Sequence, residues 1–299
     1  MQPIARWLVS RPQNGVLGFA ATYILPLPLA VIVSGAVVVL LVLFHGGQRT
    51  ILLALAAAAI LALLALLTGG SAPQTAFDAL LHWLPAFALA LLLGRWRSLT
   101  LTLQVSVIVA SVALLGFYVV LGDPAAYWSN LLANEVAPLF RELGLEEQAA
   151  TLLENRDAIA QQMTVLFVFA IWSLFTFGLL LGYALYDVLQ ERKSAFGRFC
   201  DLNFGRVLAL IMAVTSVAAV MIGAAWLQNF AFLVFVVFWI QGLAILHWLH
   251  AEKRLPAVLL FAVYALVPLL NALPVISLAV VGYSDAWFDF RSRSSRSSK

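Results

Sequence analysis

The chain has 299 residues, of which 64% are apolar and only 10% charged, with a mean hydropathy of +1.00 and a formal net charge of +3. Soluble domains carry ~45–50% apolar and ~25% charged residues, so this chain has too little polar surface to coat a water-soluble globule. Its 20 Phe, 9 Trp and 7 Tyr exclude a disordered chain, and the small net charge speaks against a nucleic-acid partner, which leaves the lipid bilayer.

A bilayer core of ~30 Å needs about 20 apolar residues as a helix, within a range of ~17–25. The first apolar run, 15–44, follows Arg6 and Arg11. It is about twice the length of a signal-peptide core, so the N-terminus is expected to be retained. As one straight helix it would be about 45 Å long, and Pro26 and Pro28 are expected to break it. Six segments have spanning length directly: 51–67, 73–93, 99–121, 163–189, 207–227 and 229–249. None shows the alternation of a barrel strand, so each is predicted as a helix whose backbone satisfies itself in lipid. The last run, 255–281, carries Pro268, Asn271 and Pro274 near its middle and is expected to be broken as well. The predicted class is all-α: a polytopic transmembrane helical bundle over residues 1–290, with eight full spans, or ten shorter crossings if both end segments are hairpins. Residues 291–299 form a basic tail predicted to be disordered or to lie against anionic lipid.

Lys and Arg in short loops favour the cytoplasmic side. The segment 122–162 holds Asp123, Glu135, Glu142, Glu146, Glu147, Glu154 and Asp157 against Arg141 and Arg156, and belongs outside. Counting spans from there puts Arg49, Arg95, Arg97, the Arg192–Arg206 loop, Lys253 and Arg254 inside, and hairpin ends would add both termini. This reading describes a multi-pass inner-membrane protein with cytoplasmic termini. The single cysteine, Cys200, lies among Arg192, Lys193, Arg198 and Arg206, as suits a reducing compartment. Within the acidic loop, Trp128, Leu131, Leu132, Val136, Leu139, Phe140 and Leu143 recur at helical spacing. They predict an amphipathic surface helix bent at Pro138, with a weaker second helix over 145–160. Such helices serve either as a lid over an outward cavity or as a brace packed on the bundle.

No phosphate loop, dinucleotide turn, zinc-protease pair or nucleophile elbow occurs, so no cofactor is expected and energy for transport would come from a partner or a gradient. Ionisable groups within spans are costly and come first as candidates. Asp78 and His82 are one helical turn apart and could form a charge-assisted pair or proton relay, or cap the helix start near the interface. Gln241 and His247 are six residues apart, on different faces of one segment, and His247 and His250 lack a third ligand at metal-binding spacing. Asn271, between Pro268 and Pro274, stands where a broken helix could offer backbone groups to a substrate or where Asn repairs the break. Gly178 and Gly182 form a GxxxG face suited to close helix packing. Trp226, Trp239, Trp248 and Trp287 read as interfacial anchors.

Several of these residues recur as an ordered set: Pro26-Leu27-Pro28, then Gly46-Gly47, then Gln241-Gly242-Leu243 with His247, and a close running from Gly282 through Asp285, Phe288 and Asp289 to Arg291. In this order and over its whole length the chain resembles the YybS-like family of bacterial inner-membrane proteins. That family is similar in layout to the substrate-binding S components of energy-coupling-factor transporters. The resemblance implies a helical bundle without its own ATPase, working with a separate energising subunit. It adds Asp285, with Asp289 and Arg291, to the candidate site residues, either for substrate or as an ion network that locks the tail.

The leading expectation is a non-enzymatic membrane protein that binds a small, mostly apolar ligand. The alternatives are a structural or assembly factor for envelope machinery and an intramembrane lipid enzyme using Asp78 and His82 as acid and base. Single cysteines at positions 5 and 295 should be shielded from an impermeant maleimide in intact cells, and cysteines at 72 and 125 should react; the opposite pattern overturns the orientation.

Overall fold

The computed structural model describes residues 1–190, 195–269 and 272–291, and the regular structure among them is helical, without strands. The helices are α1 (Gln2–Ser10), α2 (Pro12–Tyr23), α3 (Leu29–His45), α4 (Gly47–Leu67), α5 (Ala72–Trp96), α6 (Leu99–Leu121), α7 (Pro124–Leu131), α8 (Ala137–Glu142), α9 (Glu146–Glu154), α10 (Arg156–Leu189), α11 (Gly205–Ile222), α12 (Ala225–Val236), α13 (Phe238–Ala251), α14 (Ala257–Leu269) and α15 (Ala272–Phe288). Among the described residues six stretches are long and apolar enough to cross a membrane: α4, α5, α6, α10, α11 and the nearly continuous pair α12–α13. They coincide with the six segments expected from sequence.

The chain divides into two compact units, Met1–Ser106 with Trp172–Phe199, and Val107–Ile171 with the chain from Cys200 onward. In the first, α3 is the centre. Apart from Ser34 and the terminal His45 its sequence has no polar residue, so no face is suited to water, and Ala36 to Leu41 are all at most 3% exposed. The Pro26–Pro28 break converts the first apolar run into a hairpin: Gly18 faces Val37 and Gly15 faces Leu41, so α2 and α3 run antiparallel. With 12 and 17 residues, they are about 18 and 26 Å long. The GxxxG face also packs within this unit. A Cβ on Gly182 would stand 2.6 Å from the Ala36 carbonyl oxygen, and one on Gly178 would be 3.2 Å from that of Ile32.

In the second unit, α11 and α12 form a hairpin around Gly223, whose φ of +71° suits a residue without Cβ. That turn ends the expected 207–227 span at Ile222 and gives Leu227 to α12. Helices α13 and α15 cross at van der Waals closeness through two glycines: Gly242 lies on the Leu278 backbone and Gly282 on that of Phe238, a pairing that runs the helices in opposite directions.

Three further differences have local causes. The expected 163–189 helix begins at Arg156, absorbing the end of the 145–160 helix, because no breaker separates the two stretches and Asp157 suits a helix N-terminus. The stretch expected to bend at Pro138 runs from α7 through a π-turn at Leu132–Val136 into α8, whose first turn holds Pro138. Trp239, expected at an interface, is 4% exposed and meets Phe169 edge-on. At the second broken run, Pro268 falls in α14 and Pro274 in the first turn of α15, while Asn271 lies outside the described residues.

Gly182→Leu should destabilise the protein by about 1–3 kcal/mol or more through overpacking against α3. Gly94→Ala, whose new methyl meets only Leu43 at 3.6 Å, should be neutral or stabilising. Thermal unfolding in detergent measures both.

Candidate functional site

The most completely bonded polar cluster lies in the second unit, where α13 and α15 meet the segment before α11. Asp285 near the end of α15 is fully buried, as is Gln241 on α13. Asp289 adopts φ +48° and donates its backbone N–H to the Asp285 carbonyl at 2.8 Å, ending the helix and turning the chain back. Asp is among the few residues that tolerate this conformation. The turn brings Arg291 to the carboxylate that begins it.

The Arg291 guanidinium donates at 2.7 Å to Asp285 Oδ2, to the Cys200 carbonyl and to the Leu202 carbonyl. Asp285 Oδ2 also accepts from Gln241 Nε2 at 2.9 Å, and Oδ1 from the Phe290 backbone N–H at 3.2 Å. Gln241 Oε1 accepts the Phe204 backbone N–H at 2.7 Å. Gln241 and Asp285, separate candidates in the sequence, are therefore joined, and the groups they would offer a substrate are used within the fold. A buried ion pair bonded on this scale holds elements in place. This corrects the expected disorder of the tail at its first residue, since Arg291 is bonded into the fold; the six-residue spacing from Asp285 does not reveal the pair, because it depends on the turn at Asp289.

Asp78 and His82 share a face of α5 but take different partners. His82 Nε2 is 2.9 Å from Ser34 Oγ on α3, and its ring meets Tyr23 edge-on at 5.4 Å. Asp78 stays exposed and accepts from Gln74 Nε2 at 2.8 Å. This corrects the expected Asp78–His82 pair: a neutral imidazole can turn inward to a buried hydroxyl, whereas burying a carboxylate costs far more. His247 is bonded to the Tyr264 hydroxyl at 2.8 Å and His250 to the Leu255 carbonyl at 2.9 Å, so the two histidines face different groups. Among the described residues no three His, Cys, Asp or Glu side chains gather as a metal site would require.

The acidic segment folds onto the second unit through Trp128. Asp123 caps α7 by accepting the Ala126 N–H at 3.2 Å, and Pro124 opens the helix. Trp128 is 8% exposed, donates Nε1–H to Thr164 Oγ1 at 2.8 Å, and packs between Phe117, at 6.4 Å and nearly parallel, and Phe167 at 5.6 Å. Beside it α6, α7 and α10 border an open recess of about 500 Å³, walled by Ala113, Gly116, Phe117, Val120, Tyr127 and Phe167. The opposite face of α7 borders a smaller, polar recess of about 330 Å³ with Ser129, Asn130, Asp157 and Gln161, where Ser129 Oγ donates to Asp157 at 2.9 Å. Trp128 thus belongs to a brace that also lines an open recess. Sequence reasoning found Trp128 in the amphipathic stripe and missed Gly116, Phe117 and Phe167, which lie in predominantly apolar stretches of their helices where no periodicity marks them.

These features define a polytopic α-helical membrane protein. No family model matches the chain, and no curated protein or solved structure matches it.

Arg291→Gln and Asp285→Asn should each lower stability by about 3–5 kcal/mol, because each leaves a buried charge unpaired. Replacing both with apolar residues of similar volume should cost less than the sum of the two single changes, as thermal unfolding of the four proteins in detergent will measure.

Proposed function

We propose that this integral membrane protein binds a small, mostly apolar ligand and acts as the ligand-binding membrane component of a transporter. The observation that carries this reading is the aromatic recess beside Trp128. Its size falls within the range of ligand sites, its wall is chiefly hydrocarbon and aromatic, and a capped helix of the acidic segment closes one side. Support also comes from the hairpin at the Pro26–Pro28 break and from the resemblance to the YybS-like family and, through it, to S components. In this reading the protein resides in a bacterial inner membrane with both termini cytoplasmic, and a separate subunit supplies the energy.

A second reading, an assembly factor for membrane or envelope machinery, draws on the acidic segment, where Leu139, Leu143 and Leu145 are exposed beside Glu142, Glu146 and Glu147. Asp78 and His82 give little support to an enzyme, since each is engaged elsewhere.

Native mass spectrometry of the protein released from its own membranes should show a bound small molecule, and mild-detergent pulldown should recover an ATPase or coupling subunit. Recovery of neither removes the transporter reading. Loss of a protein partner in Leu139→Ser/Leu143→Ser, with ligand retained, would favour the assembly factor.

A further inference from the structure

Gly116 occupies the interior of α6, where glycine is unfavourable relative to alanine. Many of the other glycines answer an evident need. Gly46, Gly69, Gly122, Gly144 and Gly223 take positive φ, while Gly178, Gly182, Gly242 and Gly282 allow another backbone to approach. Gly116 does neither: among glycines of ordinary φ inside the described helices, it is the one at which an added Cβ would meet nothing within 4 Å. The space it leaves is the recess facing Tyr127, Trp128 and Phe167.

The wall of that recess states what it accepts. No charged side chain lines it, and the Trp128 indole N–H is already given to Thr164, which leaves the Tyr127 phenol as the polar group of the lining. Trp128, which lines the recess, is buried with Leu132 and Ala160 in one apolar cluster. The rim at Val120 and Leu121 is exposed at the end of α6, a helix of spanning length and apolar composition. An uncharged molecule dissolved in the bilayer can enter there without desolvating a charge, and one that carries a charge cannot.

From this geometry we propose that the Gly116 recess takes an uncharged, membrane-dissolved molecule with a long hydrocarbon portion and a single hydroxyl or carbonyl, entering laterally from lipid, with the polar group at Tyr127. The inference rests on the ligand-binding reading above and names its site, its ligand class and its route of entry.

The test uses the full-length protein in lipid nanodiscs with a diazirine-bearing long-chain alcohol, crosslinked sites being mapped by peptide mass spectrometry. Labelling should concentrate on the α6 and α7 walls, compete with the unmodified alcohol, and resist the carboxylate of equal chain length. Gly116→Phe, which fills the recess, should reduce labelling about tenfold with the unfolding midpoint kept, and Gly116→Ala should retain it. Should Gly116→Phe fail to fold, Val120→Trp at the rim gives the same readout. Undiminished labelling in a folded filled variant, or labelling spread evenly over the lipid-facing helices, overturns the site. A native ligand that survives Gly116→Phe overturns this inference while leaving the ligand-binding reading intact. Site-specific labelling in a protein that never yields an energising subunit removes the transporter reading and leaves the recess.

Discussion

Hydrocarbon offers no hydrogen bonds, and nearly every feature of this fold follows from that constraint. Backbone groups must be satisfied within helices, and polar side chains inside the bundle must find partners in the protein. Arg291 and Asp285 show the requirement at its most demanding: the buried pair is tied to Gln241 and to two backbone carbonyls of the 200–204 segment, and fully enclosed Gln241 accepts from a third backbone group there, the Phe204 N–H. Ser34 and His82 meet the same need with one neutral contact between α3 and α5. In both places polar residues join helices whose apolar surfaces have little reason to prefer each other over lipid.

Where polar contacts are absent, closeness takes their place. In a bilayer the hydrophobic effect does not drive helices together, so association rests on dispersion over well-matched surfaces. Gly178 and Gly182 seat α10 on α3 in one unit, and Gly242 and Gly282 let α13 and α15 cross at backbone contact in the other. Gly116 shows the converse use of the same residue. With no backbone opposite it, the missing side chain becomes volume rather than contact, and the volume is walled by the rings of Phe117, Trp128 and Phe167.

The acidic segment joins these themes. Its amphipathic pattern places Trp128 on the apolar side, where the ring packs among aromatic neighbours while its N–H reaches Thr164. The other face of α7 carries Ser129 and Asn130 toward Asp157 and Gln161. One short helix therefore separates a polar recess from an apolar one, an arrangement suited to holding water away from a hydrocarbon-lined site.

The amino-acid sequence by itself determined the medium, the helical class, the six long spans and the break at Pro26–Pro28, because these depend on local quantities: hydropathy summed over a window, and the missing N–H of proline. It also marked Gly178 and Gly182 as a packing face, since four-residue spacing places both on one side of any helix. Only the tertiary structure decided which polar residues meet. Gln241 and Asp285 lie 44 positions apart and are joined through a turn at Asp289 whose return direction no periodicity encodes, whereas Asp78 and His82, neighbours by spacing, are separated because Ser34 on another helix offers the imidazole a buried partner. The recess at Gly116 escaped notice for the same reason: its walls come from three helices, and in a mostly apolar stretch a lining residue has the same composition as one that faces lipid.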